Sequence, residues 1–361
     1  MVNQGSPEGG SWSGIPAGLT AGMESEGAEV VHIDASVPRE GRLEAMLRMS
    51  WTDRAASRGF AVAGSYLARR GVRQAMPLDG IVMIGSGYAL GSAVPYVTFD
   101  DGTVAQALDL LGLGDVLSER VATAWRRRQA EVYRDAFGCC LASEWAAASV
   151  RDDYGIDPAK VHVVGFGVNL AEVPEVERDW GKPRFLFAGF DWERKRGPAV
   201  VNAFAEVRKQ YPEATLDLVG GHPPIEAEGV TTHGPLPLSS EDGRRRYAEL
   251  LARATCLTMP STIEPFGIAY LDAAQAGIPS IGTTIGGAAD AIGNGGRLVD
   301  PTDPHALVDA MLELSQPELA HQLGNCARQR AQDFTWQAVA RRVLKVLLPD
   351  SPSPLLARVA R

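Results

Sequence analysis

Hydrophobic and polar positions in the second half of the chain alternate between short apolar runs and longer amphipathic stretches. The short runs predict strands and the longer stretches predict helices. Strand-like runs fall at 184–189, 215–219, 256–260, 279–282 and 297–300, and helix-like stretches at 198–211, 239–253, 267–276 and 304–315. Strands that alternate with helices in this way are typical of a parallel sheet with helices on both faces.

The first half has the same alternation with less regular spacing. It predicts strands at 29–33, 80–84, 95–99 and 138–142, and a long helix at 118–137. The chain opens with MVNQGSPEGGSWSG, which resembles the glycine-rich loop that follows a buried first strand. We therefore expect the first strand to be short or missing, with at most a remnant at Val2.

The length of 361 residues predicts two domains, because a single hydrophobic core rarely keeps growing beyond about 250 to 300 residues. Glycine, proline and acidic residues break the periodicity over 164–179. We predict a first domain at 1–168, a linker at 169–180, a second domain at 181–334, and a C-terminal helix and tail at 335–361.

Composition excludes several classes of protein. Hydrophobic residues make up 45% of the chain and charged residues 22%, which is typical of a globular protein. The net charge of −9 argues against binding to nucleic acid or to an anionic membrane surface. No apolar run has the roughly 18 residues that a transmembrane segment needs, and the first 30 residues lack a signal-peptide pattern, so we expect a cytoplasmic protein.

Cysteine and histidine spacing predicts neither a disulfide framework nor a metal site. The four cysteines include one adjacent pair, Cys139 and Cys140, and no CxxC motif. The six histidines are scattered without the spacing of metal ligands. We expect no metal and no cofactor.

The segment GSGYALG at 85–91 follows an apolar run and is similar to a dinucleotide-binding fingerprint. That fingerprint requires a helix that begins at the glycines, so that its amino terminus meets the pyrophosphate. The next strand-like run begins near Val94, which leaves no room for such a helix. Nicotinamide binding is therefore not predicted.

The stretch STIEPFGIAYLDAAQAGIPSIGTT at 261–284 places two acids, Glu264 and Asp272, eight positions apart. Because Glu264 precedes a proline, it is expected on a loop before the helix that Gly267 leads into. The first amides of that helix attract anions, so Glu264 would lie beside an anion site. The alternative is that Glu264 only favours the helix amino terminus and that Asp272 is a solvated face residue.

A second loop favours the first interpretation. The strand-like RFLFAGF is followed by DWERKRGP, with Lys195 and Arg196 before a helix that begins with proline. Ligands of open α/β sheets bind at the carboxyl ends of the strands, where both loops fall. Lys195 alone is more often a surface residue, but beside the Glu264 loop it predicts a diphosphate-binding pair.

The basic loop before a glycine, the later EPFGxxxLDAAxAGxP and the following TTIGG together resemble the retaining glycosyltransferases of family 4, also called glycosyltransferase group 1. The resemblance is specific over about 163–287. It implies the GT-B fold, in which two Rossmann-like doubly wound domains face a central cleft, with the first domain on the acceptor side. It also implies a nucleotide-sugar donor that binds to the second domain.

The resemblance assigns roles in the second domain. It implies that Glu264 binds hydroxyls of the donor sugar, that Lys195 contacts the diphosphate, and that Asp272 binds the ribose, with Arg196 as the candidate for a second contact to the diphosphate. The same resemblance places three amides near the sugar and phosphate: Phe266, Gly267 and Ile268. Two positions depart from the family pattern, since Asp272 stands where glutamate is usual and Phe190 stands where arginine is usual.

In the first domain, GGSWSG at 9–14 is similar to the family's glycine-rich loop near the diphosphate and acceptor, and we assign Gly10 to donor binding. The family often has a histidine after the fourth or fifth strand. Asp100 is the candidate replacement near the reacting carbon, although an acid at a strand end is also a common helix cap. The predicted catalytic residues are thus Glu264, Lys195 and Asp100.

The expected activity is transfer of a hexosyl group from a nucleotide-diphosphate sugar to the hydroxyl of a small or oligosaccharide acceptor, with retention of configuration. Two alternatives stay open. One is another enzyme of the same architecture, such as a nucleotide-sugar epimerase or a phosphorylase. The other is a non-catalytic sugar-binding relative.

Overall fold

The structure is a computed structural model that describes residues 1–4, 14–37, 56–91, 94–110, 112–170 and 172–349. It divides into two compact units. The first comprises Met1–Gly165 and the chain from Trp336 onward, and the second comprises Phe166–Thr335. Each unit contains its own parallel sheet.

The sheet of the first unit has six strands in the order β2-β1-β3-β4-β5-β6, and every neighbouring pair is parallel. β1 lies between β2 and β3, although it is only two residues long. The strands are β1 Val2–Asn3, β2 Ile33–Asp34, β3 Ile81–Ile84, β4 Tyr96–Asp100, β5 Gly138–Leu141 and β6 Val161–Val163.

Strand prediction was accurate for β3, β4 and β5 but wrong for β2. The predicted run at 29–33 pairs only from Ile33, because its partner β1 offers just two residues for a ladder. The helices of this unit are α1 Ile15–Ser25, α2 Arg58–Ala75, α3 Val104–Leu110, α4 Leu113–Val116, α5 Glu119–Asp135, α6 Glu144–Asp152 and the C-terminal α13 Trp336–Leu347.

Between β3 and β4, the described residues contain no helix. The segment instead bends at 85–88, with Gly85 at a φ of 80°. A dinucleotide fingerprint at this position would lack its helix amino terminus, as the spacing predicted.

The sheet of the second unit also has six parallel strands, in the order β12-β11-β10-β7-β8-β9. β10 and β11 are buried along their whole length, and β7 is buried from Phe185 onward, as is typical of the middle of a parallel sheet. The strands are β7 Arg184–Ala188, β8 Thr215–Val219, β9 Val230–Gly234, β10 Cys256–Thr258, β11 Ser280–Thr283 and β12 Gly296–Val299.

Helices connect these strands as the periodicity predicted. α7, for example, packs Val200, Phe204 and Val207 into the core beneath β7 and β8. The helices of the unit are α7 Gly197–Gln210, α8 Glu241–Arg253, α9 Ile268–Gln275, α10 Ala288–Ile292, α11 Pro304–Glu313 and α12 Pro317–Ala331. The predicted α/β class with two parallel sheets is confirmed.

The segment predicted as a linker lies within the second unit. Arg178 from this segment donates to the carbonyls of Ala252 and Ala276, at the ends of α8 and α9, and its guanidinium stacks on Trp180. These contacts hold the segment against the helices of its own unit.

The C-terminal helix α13 follows the second unit in sequence but belongs to the first. Trp336 packs against Gly18 of α1 so closely that a Cβ at Gly18 would lie 2.2 Å from its ring. Farther along, Arg341 donates two hydrogen bonds to the buried carboxylate of Glu26, at 3.0 and 2.8 Å. The chain therefore completes its first unit with its last helix.

Candidate functional site

Two loops meet at the carboxyl edge of the second sheet. The first follows β7 and ends where α7 begins at Gly197, and the second follows β10 and ends where α9 begins at Ile268. They are joined through the backbone carbonyl of Arg194, which accepts hydrogen bonds from the amide of Thr262 at 2.7 Å and from its hydroxyl at 2.9 Å. Parallel strands bring their carboxyl ends to one edge, so this meeting follows from the sheet order.

Glu264 lies on the second loop, before the helix, as the following proline predicted. Its backbone is fixed on both sides: its amide donates to Ile285 at 3.1 Å, and its carbonyl accepts from Gly287 at 2.9 Å. A bridge with Gly286 completes this connection to the loop after β11. The carboxylate is thus held by three loops of the sheet edge.

Lys195 and Glu264 form an ion pair, with 3.0 Å between Nζ and Oε2. The side chains are 14% and 8% exposed, so the pair is largely removed from water. Ser261 donates to the same carboxylate oxygen at 2.9 Å. The two residues that the sequence placed on separate loops are in direct contact.

Arg194 is the residue of this site that sequence reasoning missed. Its Nη1 atom lies 3.6 Å from Oε2 of Glu264 and donates to the carbonyl of Ile263 at 2.7 Å. Its Nε donates to Asp191 at 3.2 Å. Arg194 precedes Lys195 in a run of three basic residues, and the sequence carried no signal to single it out.

The charge state of Glu264 reflects two opposing effects. Burial disfavours the carboxylate, but the charges of Lys195 and Arg194, together with hydrogen bonds from Lys195 and Ser261, outweigh it and lower the pKa of Glu264 below its ordinary value. Glu264 is therefore an anion at neutral pH. A carboxylate of this kind accepts hydrogen bonds from the hydroxyls of a polyol.

The turn before α9 depends on Gly267. It adopts a left-handed φ of 87°, and a Cβ there would lie 2.4 Å from the Tyr270 ring and 3.0 Å from Cγ of Glu264. Phe266 beside it is buried and packs edge-on against Phe166, with 5.4 Å between the ring centroids. The predicted amides of Phe266, Gly267 and Ile268 thus lie on a rigid turn next to the carboxylate.

The carboxyl group of Asp272 is buried and bound by backbone amides. It is 1% exposed, so the alternative interpretation as a solvated helix residue is wrong. Its Oδ1 accepts hydrogen bonds from the amides of Asn169 at 2.8 Å and Leu170 at 3.2 Å. Burial raises the pKa of Asp272 to about 7, although both amides favour the charged form. Its contact with a ribose stays a prediction.

Two other residues of the first loop, Arg196 and Phe190, bear on the predicted diphosphate contacts. Arg196 adopts a left-handed φ of 57° at the start of α7, and among the described residues its buried Nη1 has no hydrogen-bond partner. Phe190 is 72% exposed, an unusual position for an aromatic ring. The position where the family usually has arginine therefore presents an apolar surface to solvent.

Asp100 lies in the first unit, as the last residue of β4, and is 4% exposed. Its Oδ1 accepts a hydrogen bond from Ser86 at 3.0 Å, and Ser86 in turn accepts from Gln129 at 2.7 Å. Among the described residues, the buried Oδ2 of Asp100 has no partner. Burial raises the pKa of Asp100 to about 7, which fits neither an exposed helix cap nor a permanent charge. The predicted donor-binding Gly10 lies outside the described residues.

Comparisons with known proteins add to this geometry. Residues 182–316 match the family model of glycosyl transferases group 1. This match lies within the second unit.

Curated proteins similar to this chain include the glycogen synthase of Mycobacterium tuberculosis (strain ATCC 25618 / H37Rv), which is 31% identical over 218 residues, covering 56% of this chain and 52% of the relative. The D-inositol 3-phosphate glycosyltransferase of Nocardioides sp. (strain ATCC BAA-499 / JS614) is 29% identical over 229 residues, covering 54% of this chain and 49% of the relative. The chain thus spans about half the length of these relatives.

Solved structures extend the likeness to both units. The crystal structure of WaaG, a glycosyltransferase involved in lipopolysaccharide biosynthesis, covers 96% of this chain with a TM-score of 0.68 at 17% identity, and 98% of its own chain is matched. Together with the two parallel sheets, this likeness shows that the chain has the GT-B fold.

Among the described residues, no group of three or more His, Cys, Asp and Glu side chains could hold a metal ion. In the same part of the chain, no helix has the length and apolar character needed to cross a membrane.

Proposed function

We propose that this protein is a glycosyltransferase that moves a hexosyl group from a nucleotide-diphosphate sugar to a hydroxyl acceptor, with retention of configuration. The observation that carries the proposal is the contact between Lys195 and Glu264 at the carboxyl edge of the second sheet. The match of residues 182–316 to glycosyl transferases group 1 supports it. Retention and the hexosyl group rest on the resemblance to family 4.

The arrangement of charges suits a nucleotide sugar. Glu264 supplies a buried anion that accepts hydrogen bonds from sugar hydroxyls, while Lys195 supplies a cation for phosphate oxygens. The turn at Gly267 and the start of α9 add backbone amides beside them. A donor with a neutral polyol joined to an anionic diphosphate has both features.

Glycosyl transfer breaks the bond between the anomeric carbon and the diphosphate. Negative charge grows on the leaving diphosphate while the sugar becomes oxocarbenium-like. Cations and amides held beside the leaving group stabilise that charge, and such electrostatic stabilisation is usually the largest catalytic contribution. In this proposal Lys195 and the turn before α9 provide it, and Glu264 holds the sugar.

Asp100 is the proposed first-unit contributor near the reacting carbon. A carboxyl group with a pKa of about 7 and one unpaired buried oxygen can hold or release a proton near neutral pH. The acceptor itself is proposed only as a small or oligosaccharide hydroxyl compound.

A thermal-shift screen of nucleotide sugars, followed by an assay for released nucleotide, tests the proposal. We expect at least one nucleotide sugar to raise Tm and to release its nucleoside diphosphate slowly in water. Conversion of the sugar without nucleotide release would instead show an epimerase. Binding without turnover in the presence of any acceptor would show a non-catalytic relative, and no binding across the panel would refute a nucleotide-sugar site.

A further inference from the structure

We propose that Arg194 is a positioning residue that keeps Glu264 charged and in place when Lys195 turns from Glu264 to the diphosphate of a bound ligand. The inference rests on the proposed function and deepens it, because it assigns a task to a cation that the proposed function does not use.

Both the side chain and the backbone of Arg194 make several contacts. The guanidinium contacts Asp191, the carbonyl of Ile263 and the carboxylate of Glu264. The backbone carbonyl accepts two hydrogen bonds from Thr262. Moving Arg194 toward a ligand would break contacts with both loops. We therefore expect Arg194 to keep its contacts within the protein when a ligand binds.

The contacts of Lys195 are few. Its ammonium group pairs with Glu264 at 3.0 Å and otherwise lies 3.0 Å from the thioether sulfur of Met259. A thioether is a weak acceptor, and an ammonium group has three donors, so Lys195 has donor capacity that the protein uses poorly. A lysine is also a flexible point charge that can reorient more readily than a guanidinium with several partners.

Glu264 keeps enough partners when Lys195 turns away. Arg194 still lies 3.6 Å from its carboxylate, and Ser261 still donates at 2.9 Å. The carboxylate therefore stays charged and oriented for sugar hydroxyls at the moment when Lys195 binds phosphate. Without Arg194, the same movement would leave an almost isolated buried anion, which is costly.

Gly189 makes the position of Lys195 possible. A Cβ at Gly189 would lie 2.1 Å from Cδ of Lys195, so the lysine stem occupies the space above this glycine. Gly189→Ala would displace Lys195 directly and leaves the side chain of Arg194 untouched. It provides a second way to disturb one cation and not the other.

Titration calorimetry with UDP, ADP and GDP, and then with the matching nucleotide sugars, tests the division of tasks. We expect Lys195→Gln and Gly189→Ala to weaken nucleoside diphosphate binding at least 10-fold. Arg194→Gln should weaken it less than about 3-fold but should reduce the extra affinity for the nucleotide sugar. Arg194→Lys should restore part of that extra affinity, because it restores the charge near Glu264.

The pH dependence separates positioning from a general loss of structure. Loss of one cation raises the pKa of Glu264, so the carboxylate of Arg194→Gln takes up its proton at a higher pH. As the pH is lowered, the remaining sugar-dependent affinity of Arg194→Gln should therefore decline at a higher pH than that of the wild type. The proposal is overturned if Arg194→Gln and Lys195→Gln weaken nucleoside diphosphate binding equally, or if Arg194→Gln leaves the preference for nucleotide sugar unchanged.

A ligand-free measurement distinguishes this inference from the proposed function. Because Arg194 joins the two loops, Arg194→Gln should lower Tm by several degrees more than Lys195→Gln does. If no nucleotide binds to the wild type, the proposed function fails, and this comparison of Tm still tests whether Arg194 holds the site together. Equal Tm values for the two variants would overturn the positioning role.

Discussion

The buried carboxyl group of Asp272 gives this protein a pH signature that can be measured without a ligand. Its pKa of about 7 lies above the ordinary value of 3.8 because burial disfavours the charge. Between about pH 4 and pH 7 the folded state therefore keeps a proton that the unfolded state has lost. The contribution of Asp272 to the free energy of unfolding is therefore fully present below about pH 4. It declines as the pH rises from about 4 to about 7, by up to about 1.4 kcal/mol per pH unit.

We predict that Asp272→Asn removes part of this decline. Asparagine cannot ionise, yet its amide oxygen can still accept hydrogen bonds from the amides of Asn169 and Leu170. Urea unfolding of the variant should show a shallower loss of stability between about pH 4 and pH 7. Asp100→Asn should have the same effect in the first unit, since burial raises the pKa of Asp100 to about 7 as well. A wild-type slope in Asp272→Asn would contradict the assignment.

Sequence reasoning placed Glu264 on its loop but did not single out Arg194, and both outcomes have physical reasons. The proline after Glu264 fixes its place on a loop whatever the tertiary contacts are. Arg194, Lys195 and Arg196 are chemically alike in sequence, and only the folded loop separates the arginine that contacts Glu264 from the one at the start of α7. The chemistry of a basic run is predictable, but the direction of each side chain is not.

The helix α9 shows the same limit for a whole element. Its bounds, Ile268–Gln275, agree with the predicted stretch, because Gly267 and Gly277 mark its ends with left-handed φ values. The face of Asp272 was not predictable, since five consecutive residues from Tyr270 to Ala274 are all buried. An argument from helical angle works only where one side of a helix faces water.

At this scale the turn before α9 yields a prediction. Gly267→Ala should destabilise the second unit by about 2 to 4 kcal/mol, because a left-handed alanine costs about 1–2 kcal/mol and the new Cβ would collide with the Tyr270 ring. Urea unfolding measures the loss.

Gly234→Ala is the matched control for the turn. Gly234 also has a left-handed φ, of 65°, but nothing lies within 4 Å of a Cβ there. Gly234→Ala should lower the free energy of unfolding only by the cost of a left-handed alanine, about 1–2 kcal/mol. If both variants lose the same stability, the packing of Tyr270 and Glu264 around Gly267 does not matter for the turn.

For the molecule as a whole, the unexpected feature is that the last helix completes the first unit. Short-range patterns predicted α13 but could not assign it to a unit, because its contacts with α1 join residues more than 300 positions apart. Those contacts include Trp336 against Gly18 and Gly22, and Arg341 with the buried Glu26.

We predict that Gly22→Ala loosens α1 and α13 together. A Cβ at Gly22 would lie 2.2 Å from the backbone oxygen of Trp336, so the two helices must move apart, although alanine favours a helix by about 1 kcal/mol. Hydrogen exchange should become faster in Ile15–Ser25 and Trp336–Leu347, while α11 in the second unit serves as an internal control and keeps its protection. Unchanged exchange in α13 would contradict this packing.

The central claim, that the Lys195–Glu264 pair holds a nucleotide-sugar donor, is tested most directly by the rate at which nucleoside diphosphate is released from the donor that the thermal-shift screen selects. The wild type should release it slowly, and Glu264→Gln should release it at least about 100-fold more slowly, because a preorganised charged contact of this kind is worth several kcal/mol. Its circular dichroism should match that of the wild type. Equal rates for the two proteins, or no release from any donor by the wild type, would contradict the account.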